Sequence, residues 1–421
     1  MTNSQTTSQT TFLNPQNYYR FPWSLNDNGI SWLEVTASCN LDCKGCYRDR
    51  HSTGHKTLEE IADDLNVFKR ERKSDCMSIA GGDPLVHPAI VKIVEMVSKG
   101  GWKPIINTNG LALTPELLQG LISAGVFGFT FHIDTSQTRS DSPNIKDETD
   151  LNTTRFRYAE LVSKIGKGKI SCSFNQTVTK KTLNQVPEIV RWAKKYPKII
   201  QSMVFILYRD PQLIDNLDFF ANGKKIELEK IYEETDWGEK QHLTAHDIAE
   251  KIREAEPMYA PSAFLNGTVD PNSMKWLIAI RAANGENTYG FAGPKFMEYI
   301  QMCSHLFRGK WLSYTSTQLL STGRSCAVLF SPFDKGMRQI LKNYLKNVFH
   351  SPISLFQKTY MQSFAIIQPI DFMPDGRMNM CDSCPDMTVH KGKMYWSCRL
   401  EEVKRHGTFM TAIPKNMDTL L

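Results

Sequence analysis

A chain of 421 residues, 41% of them apolar and 22% charged, is long enough to bury one large core with an appendage. Its net charge of +6 is spread over 50 basic and 44 acidic side chains, too dilute for a nucleic-acid footprint, and no apolar run approaches the roughly 18 residues of a membrane span. The first dozen residues lack the basic start and apolar stretch of a signal peptide, and ten cysteines are too few for a disulfide framework, so a cytoplasmic protein is expected.

Residues 1–27 read as a disordered polar tail and a lead-in. Ile30 to Val35 is a partly alternating apolar run that predicts a strand delivering a loop. Thr57-Leu58-Glu59-Glu60 has capping-box spacing, and Ile61, Leu65 and Phe68 follow at helical intervals. Asp75 to Ala80 predicts a second strand, Pro88 to Lys99 a helix, and Lys103 to Asn107 a third strand. Thr114-Pro115 is the capped start of another helix, and Phe127 to Ile133 is a fourth strand. After a polar loop from Thr135 to Thr153, a helix near Phe156 to Ile165, a strand at Lys169 to Val178, a helix at Leu183 to Tyr196 and a strand at Ser202 to Tyr208 complete six strands alternating with helices. Such alternation implies a parallel α/β sheet, open or curled toward a barrel, over residues 28–210. Beyond Arg209 the period is lost. Residues 211–332 are expected as an insertion or substrate-binding region with a helix at Thr244 to Ala255, and 333–421 as a C-terminal metal region opening with a basic amphipathic helix from Met337 to Phe349.

Cys39, Cys43 and Cys46 lie within eight residues, directly after the first strand. Three thiolates hold three irons of a [4Fe–4S] cube and leave the fourth open, whereas a structural zinc would want a fourth ligand such as His51 or His55. This C-x3-C-x2-C loop resembles the signature of the radical S-adenosylmethionine (SAM) superfamily, and the likeness runs in order over about Ile30 to Tyr208. The resemblance implies a partial (β/α)6 TIM-like barrel with a C-terminal cysteine-containing extension. It further implies that the open iron chelates SAM, that an electron breaks a sulfur–carbon bond, and that a 5′-deoxyadenosyl radical abstracts a substrate hydrogen. An electron donor such as flavodoxin or ferredoxin is implied with it.

Gly81-Gly82-Asp83-Pro84 resembles the family's G-G-E-P motif, in which backbone carbonyls and a carboxylate suit the SAM ammonium group. Asn109, in Asn107-Thr108-Asn109-Gly110, is similar to the T-N-G stretch that ends the third strand in relatives. His132-Ile133-Asp134 stands where relatives carry S-x-D near the SAM ribose, with Asp134 either a ribose acceptor or a helix N-cap. Asn175 is a candidate for the SAM carboxylate; the alternative is a polar side chain on an exposed sheet face. Tyr47 is a substitute for the aromatic residue that relatives place before the third cysteine, where this chain has Gly45. Cys76 and Cys172, on predicted buried strands, are expected as core side chains.

Cys381-x2-Cys384 followed by Cys398 is a second metal-like pattern. Asp386 to Lys393, with Gly392-Lys393 at a turn, predicts a hairpin that returns Cys398 beside the pair. In position and cysteine count this tail resembles the SPASM and twitch extensions that carry auxiliary clusters, although its spacing departs from theirs. An auxiliary [4Fe–4S] cluster is expected, with a structural zinc as the alternative. Cys326 is the preferred fourth ligand, and Cys303, His390 or an open position are the others. Three functional classes follow: hydrogen abstraction from a small-molecule, peptide, protein or lipid substrate, the last read from the aromatic and Met-rich segment Pro257 to Phe330; a non-catalytic iron–sulfur carrier or scaffold; and methyl transfer, for which no cobalamin domain precedes the core.

Overall fold

A computed structural model describes residues 13–46, 48–49, 52–209, 217–228 and 243–415. After a two-residue strand β1 (Tyr19–Arg20), six strands follow: β2 (Ile30–Thr36), β3 (Cys76–Gly81), β4 (Lys103–Thr108), β5 (Gly128–His132), β6 (Ser171–Val178) and β7 (Ser202–Leu207). Between them run α1 (Leu58–Glu71), α2 (Ile90–Lys99), α3 (Pro115–Ser123), α4 (Asn152–Ile165) and α5 (Val186–Lys195). The six strands pair parallel in chain order, as helical crossovers between neighbouring parallel strands require.

The local reasons are those the spacing predicts. Thr57 and Glu60 close a reciprocal capping box at the start of α1, and Thr114 caps α3 with Pro115 in its first turn. Strand residues alternate in direction, so Leu33, Val35, Ile79, Ile106, Phe129, Phe131, Phe174 and Phe205 share one face, all essentially buried beneath α1 to α5. Each such side chain contributes about 1.5–3 kcal/mol through burial. The opposite face is more polar and carries Glu34, Asn107, Thr130, His132, Ser173 and Asn175. The long loop after β5 is pinned by Arg155, fully buried, which donates to the Ile133 carbonyl (2.7 Å) and the Glu148 carboxylate (2.6 Å). Cys76 and Cys172 are core side chains.

The region expected as an insertion continues the same sheet. A hairpin of β8 (Leu217–Ala221) and β9 (Lys224–Ile226) precedes α6 (Ala245–Ala255). Then come β10 (Ala263–Asn266), β11 (Met274–Asn284), β12 (Asn287–Phe291), α7 (Pro294–Arg308), α8 (Thr317–Leu320), α9 (Gly323–Phe330), α10 (Lys335–His350) and β13 (Tyr360–Ile367). The main sheet has the order β1-β10-β11-β13-β7-β6-β5-β4-β3-β2, with β12 on β11. β13 pairs parallel with β7, and β11 antiparallel with β13. The physical reason is the free edge of β7, whose unpaired N–H and C=O groups are covered by β13. Gln362 secures the junction, donating from its amide to the Ala193 and Ile200 carbonyls at 2.9 Å each. Phe364 and Ile366 belong to the same apolar core as β2 to β7, so position 210 is not a boundary of the core.

The tail adds two short hairpins, β14 (Asp371–Phe372) with β15 (Met378–Asn379) and β16 (Met387–His390) with β17 (Lys393–Trp396), then α11 (Leu400–His406) and β18 (Thr411–Pro414), which pairs with β8. Residues 380–389 run between β10 and β2. On one side the Asp382 N–H donates to the Asn266 carbonyl (3.1 Å) and Cys381 bridges Gly267. On the other, Asn28 donates to the Ser383 carbonyl (3.0 Å), and Arg72, whose guanidinium also holds Ile30, donates to the Cys384 carbonyl (2.8 Å). The cysteine tail therefore ties the two arms of the sheet together.

Candidate functional site

The loop that leaves β2 carries Cys39, Cys43 and Cys46, and three strand ends hold it. At the end of β3, the Gly82 N–H donates to the Thr36 carbonyl (2.8 Å) and the Asp83 N–H to the Ser38 carbonyl (2.9 Å). Gly81 has φ +137°, and a Cβ there would lie 2.2 Å from the Thr36 carbonyl oxygen. At Gly82 a Cβ would lie 2.1 Å from that of Ser38. No other residue allows this approach, so the two glycines act by bringing the backbone of β3 against the cysteine loop. At the end of β4, Asn109 donates to the Asn40 side chain (2.7 Å), and the same amide nitrogen lies 3.9 Å from the Cys39 sulfur. Beyond β5, the Lys44 N–H donates to the Ser136 carbonyl (2.9 Å), and Cys43 forms a β-bridge with Gln137.

Cys39 is exposed, and Cys43 and Cys46 are half-buried. Burial first, and the neighbouring thiols and carboxylates second, push the Cys39 and Cys43 thiols above their ordinary range. Among the described residues, no three His, Cys, Asp or Glu side chains stand together at metal-ligand spacing. The donor set still suits an iron–sulfur cluster: three thiols on one loop, each raising the cost of ionising another, are eased by a shared cation. His55 is engaged elsewhere, its Nδ1 2.9 Å from the Thr36 hydroxyl, while Tyr47 and His51 lie outside the described residues.

Asp83 is buried, and its carboxylate is committed to protein donors. It accepts from the Thr108 hydroxyl (2.8 and 2.9 Å), the Asn109 N–H (2.7 Å) and the Leu85 N–H (2.9 Å). Instead of reaching toward a ligand, it locks the Asn109 turn against the Gly81-Gly82 turn; Pro84 opens the short helical turn that Asp83 caps. Replacing Asp83 with Ala leaves those three donors without an acceptor, and a loss of about 2–4 kcal/mol in urea unfolding is expected. Burial, outweighing these bonds, raises the Asp83 pKa from 3.8 to about 6. The folded chain therefore holds this proton more tightly than the unfolded one, and the contribution to stability declines as pH rises from about 4 through about 6, by up to ~3 kcal/mol. The variant should lack that decline; an unchanged pH profile would count against this assignment.

Asp134, also buried, accepts from His132 Nε2 (2.7 Å), the Thr177 N–H (2.9 Å) and the Ser136 N–H (3.0 Å). It caps no helix, since α4 begins only at Asn152. Burial works to raise its pKa, but His132 and these donors outweigh it and hold the carboxyl well below its usual range. His132 is shifted the opposite way: burial opposes its protonation, and Asp134 overcomes that. Asn175 pairs with His132 across β5 and β6, and its Oδ1 is buried without a hydrogen-bond partner, as is Asn107 Nδ2 on β4. Thr130 Oγ1 on β5 is unsatisfied as well, and such unsatisfied polar atoms on the inner face suit a polar ligand.

The hairpin expected in the tail is present, with its turn at Lys391 (φ +48°) and Gly392 (φ +74°). Its base returns Cys398 toward Cys381 and Cys384; burial raises the pKa of all three, the other thiols add to this at Cys381 and Cys384, and the Glu402 carboxylate adds to it at Cys398. Cys326 is not brought there. It lies on α9, 3.7 Å from the Thr322 hydroxyl and against the core beneath α7 and α10, whereas Cys398 packs with Phe372 and Met410. His390, at the hairpin tip, is roughly 13 Å of strand from the base. The group the three thiols share is Asp386, a carboxyl at the hairpin base that raises the pKa of each and whose own pKa burial lifts to about 7.

Several residues at the site escaped the motif reading. Asn40 orients Asn109, and Arg139 donates to the Asn109 carbonyl (2.9 Å). Glu34, an acid inside an apolar strand, is buried against Arg48, two residues beyond Cys46; on α11, Glu401 lies 3.9 Å from Arg48 and Lys404 lies 3.8 Å from Glu34. That lone acid was the available signal.

The family model of the Radical SAM superfamily matches residues 33–193. The chain is 29% identical over 169 residues to the tungsten-containing aldehyde ferredoxin oxidoreductase cofactor-modifying protein of Pyrococcus furiosus, covering 38% of this chain and 47% of that one. It is 26% identical over 186 residues to the AdoMet-dependent heme synthase of Methanosarcina barkeri, covering 42% and 50%. The chain thus spans about half the length of these relatives. Among solved structures, Streptococcus suis SuiB bound to the precursor peptide SuiA aligns with a TM-score of 0.35 at 17% identity, over 45% of this chain and 41% of that one.

Proposed function

Because residues 33–193 match the Radical SAM superfamily, we propose that the chain is an enzyme of that kind, which cleaves SAM reductively and abstracts hydrogen from an unactivated substrate carbon. Family membership implies a [4Fe–4S] cluster and SAM, and Cys39, Cys43 and Cys46 are the residues that would hold the cluster. When bound, that pair supplies the electron transfer and the carbon radical. One observation carries the reading: the ends of β3, β4 and β5 all hydrogen-bond to the loop bearing the three thiols. Gly81 and Gly82 set the backbone beside that loop. Asn109 steadies Cys39, and Asp83 holds Asn109. Asp134 fixes His132 and favours its protonation, and the free polar atoms of Asn107 and Asn175 are the groups on the inner face proposed for the amino-acid end of SAM.

A cleft of about 460 Å³ at the C-terminal ends of β7 and β13, lined in part by Arg209, His246, Asp270, Gln368 and Asp371, is the candidate substrate site. Cys381, Cys384 and Cys398, with Asp386 beside them, would hold an auxiliary cluster, and a small flavoprotein or ferredoxin would supply electrons. Anaerobic incubation of the reduced, iron-reconstituted chain with SAM should yield 5′-deoxyadenosine. Its absence, with the cluster present by spectroscopy, would favour an iron–sulfur carrier instead.

A further inference from the structure

Residues 299–358 hold eight Lys or Arg side chains and a single acid, Asp334, so essentially all of the chain's net charge of +6 resides in this segment. Asp334 is buried, capping α10 and bonding to the Gly293 N–H (3.0 Å), which leaves the surface of the segment without a carboxylate; the one acid of the first turns of α7, Glu298, is ion-paired with Lys295 (2.6 Å). The same segment exposes bulky apolar side chains at a density unusual for a solvated surface. Phe307 is 80% exposed, Phe349 86% and Phe356 89%, accompanied by Leu306, Leu329 and Phe333. An isolated exposed Phe needs no explanation, but these lie in one helical layer. The Tyr299 and Phe333 rings, 5.7 Å apart, join α7 to the turn before α10, and Arg324 on α9 donates to the Leu355 carbonyl (2.6 Å). α10 buries Met337, Ile340 and Tyr344 on one side and turns Lys342, Leu345, Lys346 and Phe349 outward. Lys335, Lys342, Lys346 and Lys358 have no carboxylate partner among the described residues.

We propose that this α7 to α10 layer docks on the surface of an anionic phospholipid bilayer. Charge decides the occupant. A second copy of the chain would bring two cationic faces together, which like-charge repulsion opposes, whereas lipid phosphates complement the lysines while separate Phe and Leu side chains insert between headgroups. No groove or apolar trough is needed, as it would be for a partner helix. Among the described residues no helix is long and apolar enough to cross a membrane, and the contact proposed is a peripheral one.

The test uses the purified full chain and vesicle flotation, independently of cluster loading and of SAM chemistry. Vesicles with about 30% phosphatidylglycerol in phosphatidylcholine should bind the chain at least about tenfold better than pure phosphatidylcholine at low salt. Raising the salt should weaken that binding. Lys342→Glu with Lys346→Glu should lower binding by about two orders of magnitude. Phe349→Ser with Phe356→Ser should lower it about tenfold, with the far-UV circular dichroism unchanged because both side chains are exposed. Equal binding to neutral vesicles, or binding that survives both double variants, overturns the proposal. So does a wild-type dimer in light scattering that the Phe variant dissociates without any vesicle binding, since a second copy then covers the face.

Discussion

Chain in which Cys39, Cys43 and Cys46 are each replaced by Ala should bind no iron at the β2 loop and form no detectable 5′-deoxyadenosine from SAM, a loss beyond about a thousandfold. Each single replacement should do the same. An open iron exists only while three thiolates hold the other three, and two thiolates leave the cluster without a third anchor. The fold itself should persist. Cys39 is exposed and Cys43 and Cys46 are half-buried, so their removal sacrifices little packing, and the loop remains tied by the Gly82, Asp83 and Lys44 backbone bonds. Unfolding midpoints within a few degrees of wild type would separate this chemical loss from collapse. A triple variant that still forms 5′-deoxyadenosine would sink the assignment.

Replacing Cys381, Cys384 and Cys398 together with Ala should roughly halve the bound iron, leave uncoupled SAM cleavage measurable and abolish turnover of the true substrate. The core motifs complete the proposed SAM site without these thiols. Stability should also fall in this variant. Residues 380–389 tie β10 to β2, Cys384 is buried, and Ala leaves small voids at a junction whose backbone bonds to Arg72 and Asn28 must then carry the contact. A moderate loss of about 1–3 kcal/mol is expected, measured on both proteins after iron removal so that cluster binding does not contribute. Wild-type protein holding one zinc and only about four irons per chain would identify the tail as a structural zinc module.

Much of this molecule was decided locally and is legible in the order of residues. The six parallel strands with five helices between them, the capping box at Thr57, Pro115 in the first turn of α3 and the hairpin turn at Lys391-Gly392 rest on periodicity, capping and backbone freedom that act within a few positions. The Cys39 to Cys46 loop and the Gly81-Gly82 turn belong to the same class, because thiol spacing and the need for glycine are written in adjacent residues. What only the tertiary structure decided depends on partners far away along the chain. That β13 pairs with β7 is a contact across some 160 positions, favoured by an open strand edge that no local pattern records. Asp83 is one methylene shorter than the usual Glu, and its carboxylate turns to Thr108 and Asn109 because those donors are the ones within reach once β3 and β4 pair. Asp134 is drawn to His132 and Thr177 in the same way, and Cys326, plausible by count, is carried by α9 into a different core. Spacing specifies which groups a segment offers; the pairing of distant segments specifies which groups they meet.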